Sequence, residues 1–130
     1  MNYISIWKGC VKLRDKINEI LLTIDSNVYY GMIPDTMEIE DWNYLVFGKQ
    51  KIKKGGTSGI DLTDYYVVTI VREDFIPDDL VFEVIDKITS IPGIRLADGE
   101  SEYEYTTKGN TNLVVEILPI YFTKTMKRYQ

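Results

Sequence analysis

The chain has 130 residues, 45% of them hydrophobic and 27% charged, with a net charge of −5; that is chain for one domain with one core, and too apolar for disorder. No apolar run approaches the ~18 residues of a membrane span, and MNYISIWKGCVKLRDKINEI lacks the basic-then-apolar layout of a signal peptide, so we expect a single domain over residues 1–130 that acts in the cytoplasm. There is no histidine and one cysteine, Cys10, which removes the commonest general base, the commonest transition-metal ligand and any internal disulfide.

Residues 7–25 are expected to form a helix. Val11, Leu13, Ile17, Ile20, Leu21 and Ile24 recur mostly at steps of three and four, with Lys12, Arg14, Asp15, Lys16, Asn18 and Glu19 on the other face. Asp25-Ser26-Asn27 stops it with turn-forming residues. Cys10 is expected as a small buried residue beside this helix, since a nucleophilic thiol would need a base. VYYGMIP follows as a short strand that Pro34 ends or confines to a sheet edge. The acidic stretch DTMEIEDW carries Asp35, Glu38, Glu40 and Asp41, but lacks the central glycine and terminal glutamate of a calcium loop. It is expected to be a solvated loop.

NYLVFGKQKIKK and DYYVVTIVRE are expected to pair as a long hairpin with GGTSG near its tip. The second of these strands is apolar on both faces and so is expected at the centre of the sheet, covered on both sides. Lys49, Lys51 and Lys53 alternate onto one face of the first strand, and Lys54 follows. The glycines do not open a helix, so they are expected to serve loop mobility rather than phosphate binding.

A second helix is expected from Pro77, which suits a first helical turn. Asp78 and Asp79 stand near the positive end of its dipole. Leu80, Val81, Val84, Ile85 and Ile88 form one apolar face, and Pro92-Gly93 ends the helix. Beyond it, Asp98-Gly99 signals a tight hairpin. Tyr103 and Tyr105 alternate with Glu102 and Glu104, which reads as one covered face and one wet face. KGNTN is a turn, and LVVEILPIYFTKT is a last strand that Pro119 marks as an edge strand or as bulged. The expected fold class is α+β, a mostly antiparallel sheet with two packed helices and a long protruding β-hairpin.

No catalytic triad, zinc ligand set or nucleotide fingerprint is present, so no enzymatic activity, cofactor or metal is expected. An acidic chain is also a poor binder of nucleic acid, apart from its one basic cluster, KQKIKK. Ten tyrosines, two tryptophans and four phenylalanines supply residues favoured at protein–protein interfaces.

The order of these segments resembles the tail terminator, or tail-completion, proteins of long-tailed bacteriophages and prophages of Gram-positive bacteria. A leading helix precedes the sheet, then come KQKIKKGGTSGIDLTDYYVVTIVRE, the Pro-started FIPDDLVFEVIDKI, and GIRLADGESEYEYTTKGNTNLVVEILPIYFTK. The likeness spans roughly residues 5–125 and rests on order and length rather than an invariant motif. It implies self-association into a ring, usually a hexamer, that caps the tail tube, ends its polymerisation and joins the tail to the head connector or stopper protein. The partners implied are further copies, the tail tube protein and the connector, with no membrane and no sequence-specific nucleic acid. It also implies assembly in the host cytoplasm and a final place in the virion tail or neck. Lys49, Lys51, Lys53 and Lys54 are the candidate assembly or lumen-facing residues, the lumen placing them near DNA. Another neck component, or a small-molecule-binding α+β domain, is the alternative.

Overall fold

The computed structural model describes residues 13–33, 41–54 and 61–127. Helix α1, over residues 13–22, precedes strand β1 (Val28–Tyr30). Strands β2 (Tyr44–Lys54) and β3 (Asp61–Glu73), helix α2 (Asp78–Thr89), and strands β4 (Ile94–Leu96), β5 (Glu104–Thr107) and β6 (Val114–Lys127) follow. The sheet has six strands in the order β1-β2-β3-β6, with both β4 and β5 on the far side of β6. Only β1 and β2 run parallel. The α+β architecture expected from the sequence is therefore present. Cys10, the carboxylates at 35, 38 and 40, Pro34 and the loop 55–60 lie outside the described residues.

Strand β3 is central, as its two apolar faces require. It pairs with β6 from Asp61↔Lys127 to Glu73↔Val115 without a register shift. The expected hairpin of β2 and β3 runs from Tyr44↔Val71 out to Lys54↔Leu62. β6 accompanies β3 to this far end, and β4 flanks β6 as far as Lys124.

Side chains alternate between the faces of a sheet. Tyr66, Val68 and Ile70 of β3 share one face with Leu45 and Phe47 of β2 and with Leu118, Ile120 and Phe122 of β6. Ile17 and Leu21 of α1 and Val84 and Ile88 of α2 bury against that same face, and Ile76, Ile91 and Ile94 close the cluster. The opposite face has a smaller buried cluster of Tyr44, Val71 and Val115, packed by Tyr29, Ile33, Trp42, Val46 and Ile117. Val67 and Thr69 on that face are only half-buried. Among the described residues, then, both helices cover one face, and β3 is covered on both sides only at its C-terminal end.

Helix α2 begins one residue later than Pro77, which serves as its N-cap with an extended ψ of 142°. Asp78 and Asp79 occupy its first turn and Lys87 its last, each suited to the dipole. The helix stops at Thr89, and the chain turns through Gly93 at φ +88°.

Three expectations near the C-terminus need correction. Asp98-Gly99 does not reverse the chain. β4 and β5 are both antiparallel to β6, so they run in the same direction, one after the other along its edge. Nor does Pro119 mark β6 as an edge strand or a bulge. The N–H of Ala97 donates to the carbonyl of Tyr121, so residue 119, two places away, turns its backbone to the same outer side. That side lies in the gap between β4 and β5, where no ladder bond asks for the missing N–H. Finally, Glu102, Tyr103, Glu104 and Tyr105 are all exposed, so among the described residues neither side of this edge is packed over.

The end of β3 is tied down by charge. Asp25, just after α1, meets Arg72 at 2.8 Å, and both side chains are largely buried. Glu73 Oε2 accepts a bond from Lys108 Nζ at 2.9 Å and one from the Trp42 N–H at 2.9 Å. The Lys108 bond, then the Trp42 bond, hold its pKa below the ordinary 4.5. A depressed carboxylate pKa contributes stability that is present above the unfolded value and lost as pH falls through the folded one. The stability gap between wild type and Glu73→Gln is therefore expected to shrink as pH falls from about 4.5. Urea midpoints measured from pH 7 down to pH 3 would check this, and a gap independent of pH would refute it.

Candidate functional site

The lysine cluster lies on β2 beyond the point where β1 stops protecting it. β1 pairs with Leu45 to Phe47, and the N–H of Gly31 closes the contact on the Phe47 carbonyl at 2.7 Å. Among the described residues nothing pairs with the outer side of β2 from Gly48 to Lys54. Residues 49 to 54 are all exposed. The result is an open edge strand bearing four lysines.

The lysines do not form the single row that strict alternation predicts. The register shifts between Lys49 and Lys51, so that Lys49 faces Tyr66 and Lys51 faces Tyr65. Gln50 is the extra residue of a β-bulge. Neighbouring residues of β3 point to opposite faces, so Lys49 falls on the helix-bearing face and Lys51 and Lys53 on the other. The contacts agree. Lys49 Nζ is 3.9 Å from Asp64 Oδ2 on the first face, and Lys51 Nζ lies 4.6 Å from the centre of the Tyr65 ring on the second. Lys54 stands opposite Leu62, on the same side as Lys49. Gly48, just before Lys49, is the one local sign of this bulge, and the spacing of the lysines alone gives the wrong faces.

Asp64 is the buried polar residue of this region, and its Oδ2 has no hydrogen-bond partner. The ion pair it makes among the described residues is with Lys49, a long contact from an exposed side chain. Nothing local in the sequence distinguishes Asp64. Only the pairing of the hairpin brings it opposite Ile52 and Lys124.

The other side of the sheet presents the reverse charge. Residues 98 to 107 are exposed without interruption. They include Asp98, Glu100, Glu102 and Glu104 and no lysine or arginine. β5 itself is fixed on β6 by the pairs Glu104↔Ile117 to Thr107↔Val114. Tyr105 is 62% exposed and stands opposite Glu116 of β6, whose carboxylate is the main cause of its raised pKa. Glu116 also accepts the Ile76 N–H at 2.7 Å, ahead of α2. The outer side of β5 has no partner among the described residues.

Between α2 and the segment 97–103 lies a cleft of about 230 Å³, floored by Leu118 and Ile120 and walled by Val81 and Ile85. That is below the ~300 Å³ at which small-molecule sites begin. Among the described residues no group of three or more His, Cys, Asp or Glu is placed to hold a metal, and no helix is long and apolar enough to cross a membrane.

No family model matches this chain, and no curated protein does. Among solved structures it is similar to a chain from the "Virion of native gene transfer agent (GTA) particle", with a TM-score of 0.45 and 10% identity, over 87% of this chain and 90% of that one. A likeness at that level carries no argument about function. What the chemistry of the site rests on is its geometry: a sheet with open edges on its two sides, one basic and one acidic.

Proposed function

We propose that this chain is a structural protein of a phage or prophage particle, a tail terminator that assembles as a ring on the end of the tail tube, stops its growth and joins it to the head connector. The segment order in the sequence supports this reading. The observation that carries it is the placement, on opposite sides of one sheet, of two strand edges left unpaired among the described residues, because a ring needs two different surfaces that meet head to tail. Tyr105 and the lysines of β2 are exposed at those edges, where contact between copies would use them. The chain works through its surface and performs no catalysis.

The test is assembly. Purified chain added to polymerising tail tube protein from the same particle is expected to appear as rings at tube ends by negative-stain electron microscopy and to hold tube length constant. Tubes that continue to grow, with no chain at their ends, would overturn the reading. Binding instead to portal or adaptor protein, with no effect on tubes, would move it to another part of the neck.

A further inference from the structure

Two edges of opposite charge on one sheet call for an explanation beyond protection of strand edges. Lysines on an exposed edge discourage unwanted pairing. Protection alone is served best when both edges carry the same sign, because copies then repel one another. Here one edge carries Lys49, Lys51, Lys53 and Lys54, and the other carries Asp98, Glu100, Glu102 and Glu104. That arrangement attracts a second copy.

The strand directions fit as well. β2 runs opposite to β3, while β5, antiparallel to β6, runs with β3. Copies set side by side in the same orientation therefore bring β5 of one and β2 of the next together antiparallel, the sense in which short strands pair best. β1 covers β2 only to Phe47, leaving seven residues, Gly48 to Lys54, for the four of β5.

We infer that the basic edge of β2 in one copy adds to the acidic β5 edge of the next, with Lys51 and Lys53 set against Glu102 and Glu104, so that the sheets of neighbouring subunits join into one. This rests on the ring reading and specifies the contact that closes it. The two edges are offset along the strands: Lys51 is level with Tyr65 of β3, and Glu104, through Ile117, with Val71. Six residues of strand amount to about 20 Å. Against roughly 19 Å of sheet width for four strands, the offset closes without a rise between subunits when the strands tilt about 45° to the ring axis, a tilt that closed sheets adopt.

The test uses two full-length variants of exposed residues. Lys51→Glu/Lys53→Glu makes both edges acidic, and Glu102→Lys/Glu104→Lys makes both basic. In sedimentation velocity at low salt, wild type is expected to form a closed oligomer that weakens as salt rises. Each variant alone is expected to associate at least tenfold more weakly, with an unchanged circular dichroism spectrum. Mixed one to one, they are expected to recover the oligomer, because each then finds its opposite. If neither variant changes the wild-type oligomer, or if both weaken it and the mixture fails to recover, the edge pairing is overturned while the ring reading stands. A wild type that stays monomeric both free and beside tail tube protein overturns both. Loss of short duplex DNA binding in the lysine variant, with its oligomer intact, assigns these lysines to nucleic acid and also overturns the pairing.

Discussion

Asp25→Ala is expected to cost about 3–5 kcal/mol of folding stability, the range for breaking a buried ion pair by removing one partner. Asp25 and Arg72 are 2.8 Å apart, with side chains 10% and 15% exposed, so little water is at hand to replace a lost partner. Arg72 also donates to the Val71 carbonyl at 2.9 Å. This holds the guanidinium in place but does not neutralise it. The truncation loses a turn as well, because Asp25 Oδ1 accepts the Asn27 N–H at 2.9 Å and so guides the chain from α1 into β1. Asp25→Asn keeps that acceptor and is expected to cost less than the alanine. The double change Asp25→Leu/Arg72→Met removes both charges and is expected to cost less than Asp25→Ala alone, since no orphaned cation remains. Urea unfolding of the three variants checks the order. An Asp25→Ala protein within 1 kcal/mol of wild type would show that the pair is solvated.

The second large effect is expected at Phe122. Its side chain is fully buried, opposite Tyr66 on one side and Leu96 on the other, in the cluster that holds both helices to the sheet. Phe122→Ala removes most of a large side chain where strands on both flanks prevent collapse, so about 3–5 kcal/mol is expected to be lost. Phe82 provides the contrast. It is on α2 but 63% exposed, so Phe82→Ala is expected to stay within about 0.5 kcal/mol of wild type. Thermal or urea unfolding of the pair measures both. A Phe122→Ala cost as small as that of Phe82→Ala would mean that the helices are not held through this residue.

Much of this fold is legible in the sequence. Helix α2 announced its limits through Pro77, the two aspartates after it and Pro92-Gly93, each acting within a few residues. β3 announced its central place by carrying apolar residues on both faces. The features that escaped are those decided by distant pairing. The Gln50 bulge exists because of how β2 meets β3, and nothing in KQKIKK itself marks it. Asp98-Gly99 has the chemistry of a turn, and the chain does bend there, with Gly99 at φ +111°. Local chemistry cannot say whether a bend reverses the chain or carries it outward and back to the same neighbour. Pro119 belongs to the same class: a proline excludes a ladder bond on one side of its strand, and the side is known only when both neighbours are known. The candidate site was half legible. The basic edge stood out as a lysine cluster, while the acidic edge read as an amphipathic strand, because its exposure on both faces depends on what does not cover it.

The collinear placement of β4 and β5 leaves surplus chain. From Leu96 to Glu104 the edge advances eight residues, while its partner on β6 moves back five, from Phe122 to Ile117. The three residues of slack are taken up around Asp98 to Ser101, in an exposed stretch at the rim of the cleft. Lengthening the polypeptide here changes only the slack, so the registration of the sheet tolerates an epitope spliced between Gly99 and Glu100. Such a splice would leave a domain that still folds but carries an obstruction beside its acidic margin, which would separate the ability to fold from the ability to meet a neighbour.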